Sequence, residues 1–235
     1  MARSGPFSDE IDRLQRVYDS YDGDPTALRR WSEENPGNRA IHAERDRRVG
    51  ALLGNRWIEH GGGPVLEVGC GTGQALAALT PHVRAGTVGL DLSEERLRRA
   101  ATTFPTVPFV RAEASALPFD DATFGVALAF TVFSSILDSG LAVRMATEIG
   151  RVLRPGGVVV WYDLRRRNPG NRQVHPLGRR SVAALFPGWR LDLTSATVAP
   201  PVARRLGRFT ESAYPRLAAL KGLNTHFLGL VTKPA

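Results

Sequence analysis

The 235-residue sequence contains one cysteine, only two lysines (Lys221 and Lys233) and no apolar run of membrane-spanning length. A single cysteine, Cys70, excludes an internal disulfide and a zinc site built from cysteines. A spanning helix needs roughly 18 to 20 uncharged apolar residues, and the opening Met1-Ala2-Arg3-Ser4-Gly5 leads into no signal-type apolar stretch. A cytoplasmic chain without a membrane partner is therefore expected. The scarcity of lysine means that the formal charge of +8 and the isoelectric point near 10.6 are carried almost wholly by arginine. So basic a chain invites a nucleic-acid reading, because cations release counterions from a phosphate backbone. An arginine bias spread along the chain fits a solvated surface, or a site for an anionic small molecule, better than a nucleic-acid partner. At 43% hydrophobic and 23% charged residues the chain suits one globular domain, with or without a small cap.

The first sixty residues read as helices. Ser8 is a candidate cap for a helix with apolar positions at Ile11, Leu14, Val17, Tyr18 and Tyr21, and Asp22-Gly23-Asp24-Pro25 stops it. A short helix follows over Thr26 to Trp31. After the turn Asn35-Pro36-Gly37-Asn38, a third runs from Ile41 to Trp57, ahead of the breaker Gly61-Gly62-Gly63-Pro64. From Pro64 onward strand and helix alternate: strands at 65–68, 87–90, 107–110, 126–130 and 158–161, helices at 74–79, 93–102 and 141–153. Such alternation with short loops builds a parallel sheet covered on both faces. Past Arg165 it loosens into an arginine-rich loop, a helix near 181–186, a strand near 190–198, a helical stretch to Leu220 and a last strand at 226–231. This organisation predicts a helical cap over residues 1–60 and a core over 61–235, with substrate-side elements in 165–222.

Chemistry concentrates at Val65-Leu66-Glu67-Val68-Gly69-Cys70-Gly71-Thr72-Gly73, an apolar strand running into a glycine loop and then a helix. Glycines there let backbone approach a ligand closely. A dinucleotide fingerprint requires G-x-G-x-x-G, but the sixth position is Gln74 counted from Gly69 and Leu76 counted from Gly71. The pyrophosphate reading fails. What remains is acid-x-Gly-x-Gly-x-Gly, with the Glu67 carboxylate placed where a cationic amino-acid ligand would want it.

This segment resembles the first motif of the class I S-adenosylmethionine-dependent methyltransferases, and further matches follow in order. Gly89-Leu90-Asp91-Leu92-Ser93 resembles the end of their second strand, where an acid accepts both ribose hydroxyls; Asp91 stands 20 residues beyond Gly71. Arg111-Ala112-Glu113-Ala114-Ser115-Ala116-Leu117-Pro118-Phe119 resembles their adenine-contact segment, with Glu113 in place of the usual aspartate and Ala114 contributing its backbone amide. Phe124-Gly125 stands where the family commonly has Phe-Asp. Glu148-Ile149 through Leu153-Arg154-Pro155-Gly156-Gly157 resembles the helix and turn before the fifth strand. The resemblance covers about residues 60 to 165. It implies an α/β, Rossmann-like, seven-stranded mostly parallel sheet with its last strand antiparallel, helices on both faces and the N-terminal cap. The cofactor implied is S-adenosylmethionine, held by Glu67, Gly69, Cys70, Gly71, Gly73, Asp91, Leu92, Glu113, Ala114, Phe130 and, from the cap, Tyr21. No metal is implied, because Asp163 is followed by Leu164 rather than by the asparagine of a metal-dependent cluster.

The acceptor side is less explicit. Methyl transfer from a sulfonium is an in-line displacement in which the cofactor carries the electrophile, so a general base is optional. Candidates are Tyr18 and Tyr21, His42 and Glu44, Tyr162 and Asp163, His226, and above all His175, since imidazole titrates near neutral pH. Phe130-Thr131-Val132-Phe133 lacks the Asn/Asp-Pro-Pro-aromatic element of enzymes that methylate exocyclic or amide nitrogens, and no Pro-Cys pair exists for cytosine chemistry. The tail, with Asn168-Pro169-Gly170-Asn171, Leu185-Phe186-Pro187 and Ala199-Pro200-Pro201, resembles a bacterial small-molecule branch serving specialised-metabolite or polysaccharide pathways. Arginines 165–167, 172, 179 and 180 could grip a phosphate or carboxylate there. Two other readings stay open: an RNA methyltransferase, and a pericyclic-type protein that keeps the cofactor pocket without using the methyl group.

Overall fold

The computed structural model describes residues 5–56, 63–79 and 86–235. Seven strands form one sheet: β1 (Val65–Val68), β2 (Thr87–Asp91), β3 (Phe109–Arg111), β4 (Phe124–Phe130), β5 (Leu153–Leu164), β6 (Arg190–Val198) and β7 (Asn224–Thr232). Their order is β3-β2-β1-β4-β5-β7-β6. β1 to β5 pair in parallel, and β7 runs antiparallel to both β5 and β6. Every residue of β1 and β4 is buried, as strands covered on both faces must be.

Helices flank the sheet. α1 (Ser8–Gly23), α2 (Pro25–Trp31) and α3 (Pro36–Arg56) precede it; α4 (Gln74–Leu79), α5 (Glu94–Thr103) and α6 (Ser139–Val152) cross between strands; α7 (Arg179–Leu185), α8 (Pro200–Arg205) and α9 (Thr210–Ala219) belong to the tail. Side chains start several of them. Ser93 accepts the Arg96 N–H at the head of α5, with Glu94 and Glu95 in the first turn, and Asp138 accepts the Leu141 N–H at the head of α6. Both satisfy a donor that the helix itself leaves unpaired.

Strand periodicity sorts the core. Leu66, Val68 and Ala129 face one way and share a buried cluster with Ile11 and Leu14 of α1. Val65, Leu128 and Val160 face the other way, with Val49 and Leu53 of α3. The N-terminal helices are thus divided between the two faces of the sheet.

Two local expectations are corrected. Ser8 does not cap α1: Phe7 holds the cap position and no side chain caps it. The stop at Asp22 to Pro25 uses Asp24, whose carboxylate accepts the Thr26 N–H and starts α2. Arg154-Pro155-Gly156-Gly157 is not a turn ahead of the fifth strand but the first part of β5, with Gly156 at φ +72° and the register to β4 shifting between Phe124 and Val126. A left-handed glycine in a bulge lets the strand bend and continue. Trp57, Gly61 and Gly62 lie outside the described residues.

Candidate active site

The carboxyl ends of β1, β2 and β4 open into a cavity of about 190 Å³, reached by Gly69, Asp91, Leu92, Glu113, Ala114 and Phe130 from the core. Ile11, Leu14 and Tyr18 of α1 form its other wall. Ligands of open α/β sheets bind in this crevice.

The glycine loop is held in place from β2. The Cys70 N–H donates to the Leu90 carbonyl at 2.9 Å, and the Gly71 N–H donates to Asp91 Oδ2 at 2.8 Å. The other carboxylate oxygen of Asp91 accepts the Ser93 N–H at 2.8 Å. A carboxylate offers about four lone-pair sites, so both oxygens keep capacity for hydroxyl donors. Gly69 has φ +70°, and a Cβ there would sit 2.8 Å from Val132 Cγ2. Gly71, at φ +54°, has open space where a Cβ would stand.

Glu67 is 2% exposed, and its Oε2 has no hydrogen-bond partner among the described residues. Burial pushes its pKa up to about 8, against the pull of the Arg45 guanidinium and a backbone hydrogen bond from Leu76. An unpartnered buried carboxylate oxygen is costly unless something meets it. The ammonium of an amino-acid ligand has that chemistry, so Glu67, the left-handed glycines and Asp91 fit S-adenosylmethionine. Cys70 is buried, and burial raises its thiol pKa well above the ordinary value, which leaves it an inert loop residue.

After β4 the chain turns sharply. Thr131 adopts φ +54°, a conformation that costs a non-glycine residue roughly 1–3 kcal/mol, and its N–H donates to the Tyr162 carbonyl at 2.7 Å. The Phe133–Ser135 turn is anchored from below by Phe133 against Trp161, ring centroids 5.1 Å apart, and by Asp163, which accepts the Ser134 N–H at 3.1 Å. Asp163 is buried, and burial pushes its pKa up to about 6. So anchored, Ser135 receives the Tyr18 hydroxyl at 2.9 Å. Burial raises the Tyr18 pKa, opposed by that hydrogen bond and by Arg96, whose guanidinium stands 4.4 Å from the ring centroid.

The remaining predicted residues are placed differently. Tyr21 is not in the cavity wall; its hydroxyl meets the Asn171 side chain, the amide nitrogen donating at 3.2 Å. His175 lies in the loop beside the turn, its backbone N–H donating to the Ser134 carbonyl at 2.8 Å, its Nδ1 buried without a partner among the described residues and its pKa lowered by burial. His42 pairs with Glu33 at the surface. Glu44 accepts the Tyr214 hydroxyl at 2.7 Å, and Tyr162 meets Thr197 Oγ1 at 2.8 Å, its own pKa pushed up to about 12 by burial. His226 stacks on Tyr162, and burial takes its pKa down to about 4. Glu44 thus ties α3 to α9, and Tyr162 with His226 links β5, β6 and β7. Arg165 and Arg179 flank the Phe227 ring at 5.3 and 5.5 Å, and none of the six tail arginines forms an ion pair among the described residues.

Sequence reasoning missed Arg96 and Arg13. Arg13 donates to the Ser135 carbonyl, to Gln173 and to Glu10, and Glu10 in turn accepts the Leu137 N–H. These contacts tie α1 to the turn after β4. Arg45, over the Phe130 ring at 5.6 Å and acting on Glu67, carried no sequence signal either.

Comparison with known proteins agrees with this geometry. Residues 65–157 match the family model described as a methyltransferase domain. The phthiotriol/phenolphthiotriol dimycocerosates methyltransferase of Mycobacterium tuberculosis is 40% identical over 114 residues, 47% of this chain and 41% of that protein. The fatty-acid O-methyltransferase of Mycolicibacterium smegmatis is 40% identical over 106 residues, 44% of this chain and 38% of that one. The matches span less than half the length of these relatives. Among solved structures, an S-adenosylmethionine-dependent methyltransferase of Mesorhizobium loti superposes with TM-score 0.56 at 18% identity, over 76% of this chain and 97% of that one. The 4+2 cyclase SpnF superposes with TM-score 0.59 at 21% identity, over 80% and 81%. Both show the same fold, which a methyltransferase and a cyclase therefore share.

Proposed function

Because the chain carries a class I S-adenosylmethionine-dependent methyltransferase domain, we propose that it methylates an oxygen, nitrogen or carbon of a small-molecule acceptor with α1 as the lid over the reacting groups. The observation that carries this reading is the cavity itself, which joins Gly69, Asp91 and Glu113 of the core to Tyr18 of α1. Bound there, the cofactor supplies an electrophilic methyl group on a sulfonium. Glu67 would receive the ammonium, Asp91 the ribose hydroxyls, and Glu113 with the Ala114 amide the adenine. Leu92 and Phe130 pack the apolar surfaces. α1 would shield the reacting groups from water and position the acceptor, which is most of what such a displacement asks of a protein.

No strong base is built into the cavity wall. The Tyr18 hydroxyl is held by Ser135 and its pKa is raised, so Tyr18 shapes the site. His175, whose pKa is lowered by burial, stands beside the turn after β4 with Nδ1 unpartnered among the described residues, and remains the candidate base. The acceptor is apolar with one polar or anionic group: the cavity is walled mainly by aliphatic and aromatic side chains, and the unpaired arginines beyond β5 suit a carboxylate or phosphate. The fatty-acid O-methyltransferase relative supports that class, and the tail resemblance supports a bacterial specialised-metabolite or polysaccharide pathway.

Incubation with methyl-labelled cofactor and, separately, fatty acids, polyketide-type phenols and total RNA tests this. Label in an apolar small product is expected. Label in RNA, or cofactor binding with no transfer to any class, would overturn it.

A further inference from the structure

Eight large apolar side chains are exposed among the described residues, and six of them lie on two short stretches: Leu28 and Trp31 of α2, and Val202, Phe209, Leu220 and Leu223 of the tail. Trp31 is 55% exposed and Phe209 57%. The stretches form one face. The Arg204 guanidinium of α8 stands 4.2 Å from the centre of the Trp31 ring, and the Asn35 side chain donates to the Arg204 carbonyl. The Ala199 N–H, just before α8, donates to the Leu223 carbonyl at 3.0 Å, and the Leu223 N–H donates to Leu220 at 2.8 Å.

The same face is strongly cationic. Residues 199–223 hold five cations and a single acid, Glu211, and α2 adds Arg29 and Arg30. None of these cations forms an ion pair among the described residues. Of the acids that follow α2, Glu33 pairs with His42, and neither Glu33 nor Glu34 forms an ion pair with these cations among the described residues. The position in the fold matters as much. β6 runs parallel to β1, so Val198 and the start of α8 lie at the same end of the sheet as the cavity, three strands over from β4.

Exposed aromatic and aliphatic side chains interleaved with unpaired guanidiniums match the interfacial zone of a bilayer, where apolar groups enter the acyl boundary and cations meet lipid phosphates. A nucleic acid would satisfy the charges but give nothing to Leu28, Val202, Leu220 and Leu223, which neither stack nor hydrogen-bond. No helix among the described residues is long and apolar enough to cross a membrane; that bears on insertion, and adsorption needs no such helix. We propose that the face built by α2, α8 and residues 206–223 docks on an anionic phospholipid surface, with the mouth of the cavity turned toward the source of an apolar acceptor. The docking itself does not depend on methyl transfer, and its test uses no acceptor.

Flotation of the full-length chain with vesicles of phosphatidylcholine alone, and of phosphatidylcholine with phosphatidylglycerol in equal parts, decides it. Binding to the anionic vesicles, released by salt and absent from the neutral ones, is expected. Arg205→Glu with Arg208→Glu should weaken that binding at least about tenfold, as should Trp31→Ser with Phe209→Ser. The control pair Leu137→Ser with Val143→Ser, at the other two exposed apolar positions, should leave it unchanged. The proposal fails if the charge reversals have no effect, or if the control pair costs as much. It also fails if total RNA binds more tightly with the same variant pattern, or if sedimentation shows a dimer that Phe209→Ser dissociates. Should a variant misfold by circular dichroism, a blue shift of wild-type tryptophan emission on adding anionic vesicles, absent in Trp31→Phe, supports docking; no shift overturns it.

Discussion

Asp22 and Arg96, 74 residues apart, are joined by two parallel hydrogen bonds of 2.7 and 2.8 Å that fasten the end of α1 to α5. Both side chains are largely buried, at 20% and 17% exposure. Arg96 also covers the Tyr18 ring and lines the cavity, so one guanidinium couples the lid to the cofactor space. A bidentate, charge-assisted pair of this kind contributes about 1–3 kcal/mol. Asp22→Asn and Arg96→Gln should each weaken cofactor binding roughly three- to tenfold. Calorimetry on the two single variants and the double variant checks it: the double variant should be no worse than either single one, and additive losses would break the proposed coupling.

Asp91 is expected to hold the ribose while bracing the loop. Asp91→Ala removes the hydroxyl acceptor and strands the Gly71 and Ser93 N–H groups. Cofactor affinity should fall at least about tenfold, with roughly 1–3 kcal/mol of stability lost for the stranded donors. An unchanged dissociation constant would remove Asp91 from the site.

At Gly71 the space for a Cβ is clear of protein atoms, so a side chain there competes with ligand rather than with the core. The cost to folding is the left-handed φ of +54°, about 1–2 kcal/mol for an L residue. Gly71→Val should therefore melt only somewhat lower than wild type but bind no cofactor. Normal binding by the folded variant would contradict the close approach of ligand to this backbone.

Much of this site was legible because it is local. Glu67 to Gly73 is one strand and its turn, and Asp91 ends the neighbouring strand, so the resemblance to the methyltransferase motifs, supported by the spacing, brings them together. β1, β2 and β4 are legible for the same reason, each a short apolar run between breakers, whereas β6 shows only as polar and apolar residues in alternation. What stayed hidden depends on docking. No periodicity in α1 says which core arginine its last turn will meet, or that Tyr18 will reach Ser135, because both contacts depend on how Ile11 and Leu14 seat the helix against Leu66. Tyr21, three residues from Tyr18, is expected at the cofactor, but its place on α1 turns it to Asn171 instead. The Arg154 to Gly157 segment reads as a turn because Pro-Gly-Gly is also turn chemistry; it has no partner on β4, and its backbone bonds instead to Lys233 and Pro234 just after β7.

Glu67 gives a pH signature. Its folded pKa, raised to about 8 from an ordinary 4.5, means that between those values the native state holds a proton that the unfolded chain has released. Stability contributed by this group therefore falls as pH rises through that window and levels off above it. Asp163 acts in the same direction over a lower range, and His226, with a folded pKa of about 4, acts oppositely. The difference between wild type and Glu67→Gln isolates the term: the variant should gain stability relative to wild type as pH climbs from about 5 to 8. Cofactor binding should strengthen over the same range in wild type, as ionised Glu67 meets the ammonium, and should lose that dependence in the variant. Parallel melting curves at every pH would show that Glu67 does not titrate there.

The role of Tyr18 separates shape from chemistry. Its hydroxyl is buried against Ser135, and its raised pKa makes it a poor proton acceptor at neutral pH. Its ring, by contrast, fills the cavity wall under Arg96, where an aromatic face attracts a cation by about 0.5–2 kcal/mol depending on desolvation. Tyr18→Phe keeps the ring and loses one hydrogen bond, about 1 kcal/mol, so kcat should fall less than about tenfold with an unaltered pH profile. Tyr18→Ala opens the wall to water and frees Arg96. It should weaken cofactor binding and lower kcat by about a hundredfold or more, since positioning supplies most of the acceleration in such a displacement. If the phenylalanine variant bound cofactor normally yet transferred no methyl group, the hydroxyl rather than the ring would be the working part, and Tyr18 would have to be counted among the groups that move the acceptor's proton.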